Sequence, residues 1–156
     1  MGFALPAAIG AKMACPDKEV WVIAGDGGFQ MTAAELSTIV QEKLNINIAV
    51  INNGYLGMVR QWQEFFYESN YEATPLVSPD FVKLADAHGI AGRAVTTRAE
   101  VADAVNEARK TDGPFLLNFM VEKEDSVYPM IPAGSALHEM IRRPGKNPLV
   151  ESAEDE

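Results

Sequence analysis

The chain has 156 residues, of which 47% are hydrophobic and 22% are charged, a composition typical of a single globular domain. Its net charge of −9 argues against a nucleic-acid-binding surface, which would need clustered Lys and Arg. No apolar run approaches the ~20 residues that cross a bilayer, so we expect neither nucleic acid nor membrane as a partner.

The ends of the chain and its cysteine content bear on location and domain organisation. Cys15 is the only cysteine, which excludes a disulfide framework and a cysteine metal site. Residues 1–15 lack the charged start and cleavage site of a signal peptide, so we expect a cytoplasmic protein. Residues 142–156 combine two prolines, a glycine and many charges. This predicts one domain at residues 1–141 and a mobile acidic tail at 142–156.

Strands and helices are predicted to alternate along the chain. Helical spacing predicts helices at 4–15, 32–43 and 57–66, one starting at residues 78–80, and one after residue 97. Apolar runs predict strands at 20–24, 46–51 and 115–121, with a weaker candidate at 93–96. This order predicts an α/β fold, in which a parallel sheet carries helices on both faces.

Two of these helices have a capping-box signature at their start. Thr32 is followed three residues later by Glu35, and Thr97 is followed by Glu100 in the same way. In a capping box the two side chains satisfy backbone N–H groups that the first helical turn leaves free. We therefore expect helices to begin at Thr32 and at Thr97.

Polar residues follow the first two predicted strands. The run Gly25, Asp26, Gly27 and Gly28 follows the first strand, and the pair Asn52–Asn53 follows the second. In parallel sheets, ligands bind beyond the carboxyl ends of the strands, which is where both groups fall. The alternative is a plain strand-to-helix turn with a capping aspartate and a loop that contains two asparagines.

The residue types at these two strand ends suit a metal that bridges to phosphate. Magnesium prefers hard oxygen ligands and is usually held by one or two side chains together with substrate phosphates. Asp26 can supply a carboxylate and Asn53 an amide oxygen. Gly27 and Gly28 allow close approach of the backbone, and a following helix presents free N–H groups to negative charge.

These residues carry a resemblance to a known enzyme family. Gly-Asp-Gly at 25–27, followed by Asn-Asn at 52–53, resembles the thiamine diphosphate motif. Residues 1–11, 57–63 and 128–134 are similar to the catalytic subunit of acetolactate synthase, also called acetohydroxyacid synthase. The likeness extends to about Ile141 and implies the C-terminal domain of that subunit, which has the thiamine diphosphate-binding fold.

The resemblance implies roles for the residues at the strand ends. Magnesium would be bound by Asp26, Asn53 and the backbone carbonyl of Tyr55, while Gly25, Gly27 and Gly28 would lie along the diphosphate. Two positions depart from the usual family pattern. Gly28 stands where serine is common, and the Tyr55 side chain replaces others at a position that is used through its backbone.

The resemblance also implies an apolar surround for the cofactor. Leu56, Gly57 and Met58 match the loop beside the diphosphate, and Met1 matches an apolar residue wedged under the bent cofactor. Met58 and Trp62 match positions in the substrate channel. Two alternatives stay open: Met58 and Trp62 could be core residues together with Phe65 and Phe66, and Met1 could be a start residue that makes no contacts.

The implied activity joins two 2-ketoacids during isoleucine and valine biosynthesis. Pyruvate would lose carbon dioxide on the cofactor, and the remaining unit would be transferred to a second 2-ketoacid, either pyruvate or 2-ketobutyrate. The family also uses FAD, which is held mainly by another domain of the same subunit. Its members work with a second catalytic subunit and, in some cases, with a regulatory subunit. Because the other domains are missing from this sequence, we expect a fragment or one chain of a split enzyme that is inactive alone.

Three other functions remain open from the sequence. Another thiamine enzyme, such as glyoxylate carboligase or a 2-ketoacid decarboxylase, would share Asp26 and Asn53. A Rossmann-type nucleotide-binding module would use the glycines at 25–28, although the third glycine is not at its usual offset. A domain that only binds the cofactor is the third possibility.

Overall fold

A computed structural model describes residues 1–144, which fall into two compact units. The first unit is Met1–Glu124, and the second begins at Asp125. No helix within residues 1–144 is both long and apolar enough to span a bilayer. Residues 145–156, most of the predicted tail, lie outside the described residues, and the predicted boundary at residue 141 stays a prediction.

A four-stranded sheet forms the centre of the first unit. Every strand pair is parallel, and the order across the sheet is β1-β2-β4-β3. The strands are β1 Trp21–Gly25, β2 Asn47–Asn52, β3 Ala91–Val95 and β4 Phe115–Met120. The helices are α1 Ala4–Ala14, α2 Asp26–Gln30, α3 Leu36–Gln41, α4 Gly57–Phe66, α5 Phe81–Ala87 and α6 Val101–Lys110.

Two hydrophobic clusters separate the two faces of the sheet. On β4, Leu116 belongs to the larger cluster with α1, α2, α3 and α5, whereas Phe115 and Leu117 belong to the smaller cluster with α6. Successive side chains of a strand point to opposite faces, so the clusters lie on opposite sides of the sheet. The predicted α/β fold with helices on both faces is confirmed.

Polar side chains fix the starts of the later helices. The Asp80 carboxylate accepts the backbone N–H groups of Val82 and Lys83 at 3.1 Å each, and donation from Lys83 lowers the pKa of Asp80. Before α6, the Glu100 carboxylate accepts the N–H of Thr97 at 2.9 Å. Helix α5 therefore begins one residue after its predicted start, whereas Thr97 caps a 3-10 turn at Arg98–Glu100 that leads into α6.

The helix predicted at 32–43 is found in part, as α3, but the capping box predicted at Thr32 does not form. The chain enters a helix earlier, at Asp26, then passes through a 3-10 turn at Ala33–Glu35 before α3. Thr32 makes no capping bond, and its hydroxyl has no partner within residues 1–144. The Glu35 carboxylate instead accepts the Thr38 hydroxyl at 2.9 Å, one helical turn in the other direction. The sequence signature of a capping box is present, but its hydrogen bonds are not.

Helix α4 has its predicted bounds but not a buried apolar side. Met58, Trp62 and Phe66 are 51%, 39% and 39% exposed, and the buried residue of the helix is Gln61. The alternative that these hydrophobic residues form core is therefore wrong, and Phe65 is only half-buried.

In the second unit, residues 130 and 141 form an antiparallel bridge through two backbone hydrogen bonds of 2.9 and 2.7 Å.

Gly92→Ala on β3 is predicted to destabilise the sheet. A Cβ at this position would lie 2.9 Å from the carbonyl oxygen of Leu116 on the neighbouring strand, and that backbone cannot move away freely. We expect the free energy of unfolding to fall by about 1–3 kcal/mol, as overpacking costs. Denaturant titration followed by circular dichroism measures the change.

Gly10→Ala is the matched control. Nothing lies within 4 Å of a Cβ at Gly10 on the exposed side of α1, so the same chemical change should stabilise the protein by about 0.5–1 kcal/mol. Equal stability of the Gly92→Ala variant and the unaltered chain would contradict the close packing of β3 against β4.

Candidate functional site

The ends of β1 and β2 meet at one edge of the sheet. These strands are parallel neighbours, and Gly25 is paired in register with Ile51. Asp26 and Asn53 therefore leave the sheet side by side. The Asp26 Oδ2 atom accepts the backbone N–H of Gly54 at 2.9 Å, which joins the two strand ends directly.

Asp26 is a buried carboxylate without a cationic partner. It is 1% exposed, and within residues 1–144 no Lys, Arg or His pairs with it. Its two hydrogen bonds, from Gly54 N–H and from the Ser78 hydroxyl at 3.3 Å, both end on Oδ2. The other oxygen, Oδ1, accepts no hydrogen bond from the described residues. Because an unpaired buried charge is costly, this oxygen is suited to a cation.

Asn53 lies in a turn of its own making. Its Oδ1 atom accepts the backbone N–H of Tyr55 at 3.1 Å, which holds Asn53 and Tyr55 together. An amide oxygen has two lone pairs, so one remains available to a cation. The start of α4 also packs against Asn53, since a Cβ on Gly57 would lie 3.0 Å from Asn53 Nδ2.

A largely apolar cleft of about 590 Å³ opens beside Asp26. No Lys, Arg or His side chain is among the described residues that line it. All ten predicted cofactor-binding residues do line it: Met1, Gly25, Asp26, Gly27, Gly28, Asn53, Tyr55, Leu56, Gly57 and Met58. The structure thus brings the predicted set together in one place.

The two glycines that follow Asp26 have different surroundings. A Cβ on Gly27 would lie 2.8 Å from Leu56 and 2.9 Å from Leu76, so this position is packed against the loop after β2. A Cβ on Gly28 would have no atom closer than 3.9 Å, which leaves room for a side chain. Met1 is 73% exposed but lines the cleft, with its methyl group 3.5 Å from the position a Gly27 Cβ would take.

The predicted substrate-channel residues are separated by one helical turn. Met58 lines the cleft, whereas Trp62 borders a neighbouring depression with Val59 and Tyr67. The Trp62 ring lies 5.0 Å from the ring of Phe66. The cleft itself therefore contains Met58 but not Trp62.

Sequence reasoning missed two contributors to the site, Ser78 and Leu76. Ser78 donates to Asp26 across 52 residues of sequence, and Leu76 packs at Gly27. The sequence Ser78-Pro79-Asp80 indicates the start of α5, which conceals the second role of the serine. No short-range pattern marks such a contact.

A family model described as "Thiamine pyrophosphate enzyme, C-terminal TPP binding domain" matches residues 1–119. The chain belongs to this family. Thiamine pyrophosphate is another name for thiamine diphosphate, so the membership supports this cofactor and removes the Rossmann-type alternative. The cleft at the ends of β1 and β2 falls within the matched residues.

Relatives of this thiamine pyrophosphate domain carry consistent names. An acetolactate synthase from Mycobacterium avium is 48% identical and aligns with 96% of this chain. The acetolactate synthase large subunit from Corynebacterium glutamicum is 46% identical over 99% of this chain, and the isozyme 2 large subunit from Escherichia coli is 41% identical over 92%. The alignments cover 25%, 26% and 26% of those proteins, so the chain spans about a quarter of their length.

A solved structure shares the fold. The thiamine diphosphate-dependent 4-hydroxybenzoylformate decarboxylase of Rhodococcus jostii RHA1 matches 81% of this chain and 24% of its own, with a TM-score of 0.75 and 32% identity. This similarity supports the thiamine pyrophosphate-binding architecture of the parallel sheet.

Asp26→Asn is predicted to stabilise the metal-free protein. The amide keeps an acceptor for Gly54 N–H and removes a buried charge that has no cationic partner within residues 1–144. We expect a gain of about 0.5–2 kcal/mol in the free energy of unfolding, measured by denaturant titration in a chelator. Asp86→Asn on the exposed side of α5 is the control and should change stability by less than about 0.5 kcal/mol. A less stable Asp26→Asn variant would show that the charge is already compensated.

Proposed function

We propose that this chain is the cofactor domain of an acetolactate synthase. In this function it holds thiamine diphosphate and magnesium while pyruvate is decarboxylated and joined to a second 2-ketoacid, pyruvate or 2-ketobutyrate. The names of relatives that are 41–48% identical over nearly the whole chain support the enzyme class. The observation that carries the metal and cofactor site is the buried, unpaired Asp26 carboxylate beside Asn53 in an apolar cleft.

Charge balance is the argument for magnesium. A diphosphate is strongly negative, and it would enter a cleft that already contains the carboxylate of Asp26 and no basic side chain from the described residues. The two anions would repel each other at close range unless a cation lies between them. We propose that Asp26 Oδ1, Asn53 Oδ1 and the Tyr55 carbonyl would hold the magnesium ion, which would neutralise charge on the diphosphate.

The backbone at the start of α2 would hold the diphosphate. Gly25 is extended, with φ −70° and ψ 155°, and Asp26 begins the helix, so Gly27 and Gly28 fall in the first turn. N–H groups in a first turn have no acceptor within the helix and can donate to phosphate oxygens. A Cβ at Gly27 would require the terminal methyl groups of Leu56 and Leu76 to shift.

The apolar part of the cleft would accommodate the rings of the cofactor. When bound, thiamine diphosphate supplies the electron sink for decarboxylation of a 2-ketoacid. Met1, Leu56 and Met58 line the cleft and would exclude water from that region. Met58 and Trp62, on successive turns of α4, would face the substrate path and bear on the choice of acceptor.

Turnover would need parts of the enzyme beyond this chain. Asp26 is the one acidic side chain among the described residues that line the cleft, and we propose it as a metal ligand, so none is left to transfer protons to the cofactor. We therefore propose that the 156-residue chain binds the cofactor without turnover. FAD, a second catalytic subunit and a regulatory subunit would engage the rest of the enzyme, in the cytoplasm.

Asp26→Ala is predicted to abolish magnesium-dependent binding of thiamine diphosphate. Isothermal titration of the cofactor into the chain, with magnesium and with a chelator, measures this. The affinity for thiamine diphosphate should fall by more than about 100-fold, because mutating a residue that only hydrogen-bonds to a metal ligand already lowers metal affinity by about 10–100-fold. Asp86→Ala is the matched control and should bind as the unaltered chain does. Metal-independent binding, or equal binding by Asp26→Ala, would overturn the ligand assignment.

The reaction is tested in a chimaera. The chain replaces the matching quarter of the Corynebacterium glutamicum large subunit, to which it is 46% identical. We expect pyruvate to be converted into acetolactate, and Asp26→Ala in the chimaera to remove this activity. The fold similarity to a decarboxylase makes a second product informative. Acetaldehyde without acetolactate would move the assignment to a 2-ketoacid decarboxylase.

A further inference from the structure

The segment Thr74–Ser78 contacts both halves of the site. It belongs to neither a helix nor a named strand, yet it pairs with the loop after β2. Leu56 N–H donates to the Thr74 carbonyl at 2.8 Å, and Leu76 N–H donates to the Gly54 carbonyl at 2.8 Å. This short antiparallel pairing holds the backbone on either side of Tyr55 in place.

The same segment ends on Asp26. The Ser78 hydroxyl lies 3.3 Å from Asp26 Oδ2, and Gln30 Nε2 donates to Ser78 Oγ at 3.1 Å. Gln30 is four residues after Asp26, so both side chains lie on one side of α2. Because the amide of Gln30 occupies a lone pair of the hydroxyl, the serine proton is left to point towards the carboxylate.

The two oxygens of the Asp26 carboxylate therefore have different hydrogen bonds. Ser78 and the N–H of Gly54 both donate to Oδ2, so this oxygen is occupied twice. Rotation of the carboxylate would break both bonds at once. Oδ1, which accepts nothing from the described residues, is thereby kept in one orientation.

We infer that Ser78, oriented by Gln30, is a positioning residue for the metal ligand Asp26. The inference rests on the proposed function, because it assigns Oδ1 to the metal. Ser78 touches neither metal nor cofactor in this scheme. It acts by holding the carboxylate so that a single oxygen is presented, which favours a small cation with strict geometry.

The test is the magnesium affinity of the full 156-residue chain. Isothermal titration of magnesium at a fixed concentration of thiamine diphosphate compares Ser78→Ala, Ser78→Thr and the unaltered chain. We expect Ser78→Ala to weaken magnesium binding by about 10–100-fold, as loss of a partner behind a metal ligand does. Ser78→Thr keeps the hydroxyl and should restore most of the affinity. A thermal melt of each variant, followed by circular dichroism, verifies the fold.

Ser37→Ala is the matched control. The Ser37 hydroxyl lies 3.3 Å from His88 Nδ1, and Ser37 does not line the cleft. Removing it makes the same chemical change elsewhere and should leave magnesium affinity unaltered. A merely structural effect of serine loss would appear in the melt of both variants, whereas a positioning effect appears in magnesium affinity for Ser78→Ala alone.

Gln30→Ala tests whether Gln30 acts on Asp26 through its hydrogen bond to Ser78. If Gln30 acts through Ser78, its removal should weaken magnesium binding less than Ser78→Ala does, and the double variant should equal Ser78→Ala. If the losses of magnesium affinity add up in the double variant, Gln30 does not act through Ser78. Equal affinity of Ser78→Ala and Ser37→Ala, in a chain that binds magnesium and the cofactor, would overturn the positioning role while leaving the proposed function intact. Failure of the unaltered chain to bind both would overturn the proposed function and this inference with it.

Discussion

One buried negative charge governs the architecture of the cleft. Asp26 sits at the first position of α2, a helix of five residues that could not persist alone because short helices are unstable in water. The helix is anchored by Phe29, which is 1% exposed and packs edge-to-face on Phe81 at 5.4 Å. The core therefore holds the carboxylate where solvation is poor. Such an arrangement stores a cost in the metal-free state that a divalent cation would relieve.

Parallel pairing explains why the sequence predicts this place so well. Two strands in parallel register deliver their following residues to the same edge, so Asp26 and Asn53 become neighbours although 27 positions apart in sequence. The prediction needed only two apolar runs and the polar residues after each. Nine of the ten positions predicted to bind the cofactor end β1 or follow β1 or β2 within a few residues, and the tenth, Met1, precedes α1.

What the sequence does not predict depends on contacts without a local pattern. Ser78 meets Asp26 across 52 residues, and the segment at 74–76 pairs with the loop after β2 without any strand-like alternation. The capping box at Thr32 fails for a related reason. Local spacing allows it, but the Glu35 carboxylate accepts the Thr38 hydroxyl instead of a backbone N–H at Thr32.

Helix α4 shows that the spacing of apolar residues predicts a helix but not whether its apolar side is buried. Its bounds agree with prediction because spacing of apolar residues reports that a helix has two unlike sides. Spacing does not report what covers the apolar side, and here Met58, Trp62 and Phe66 are left partly exposed. Covering such a side recovers roughly 25 cal/mol for each Å² of apolar surface. The end of this helix nearest the cleft carries Met58, so a cofactor or substrate bound there would bury part of the surface that the sheet leaves open.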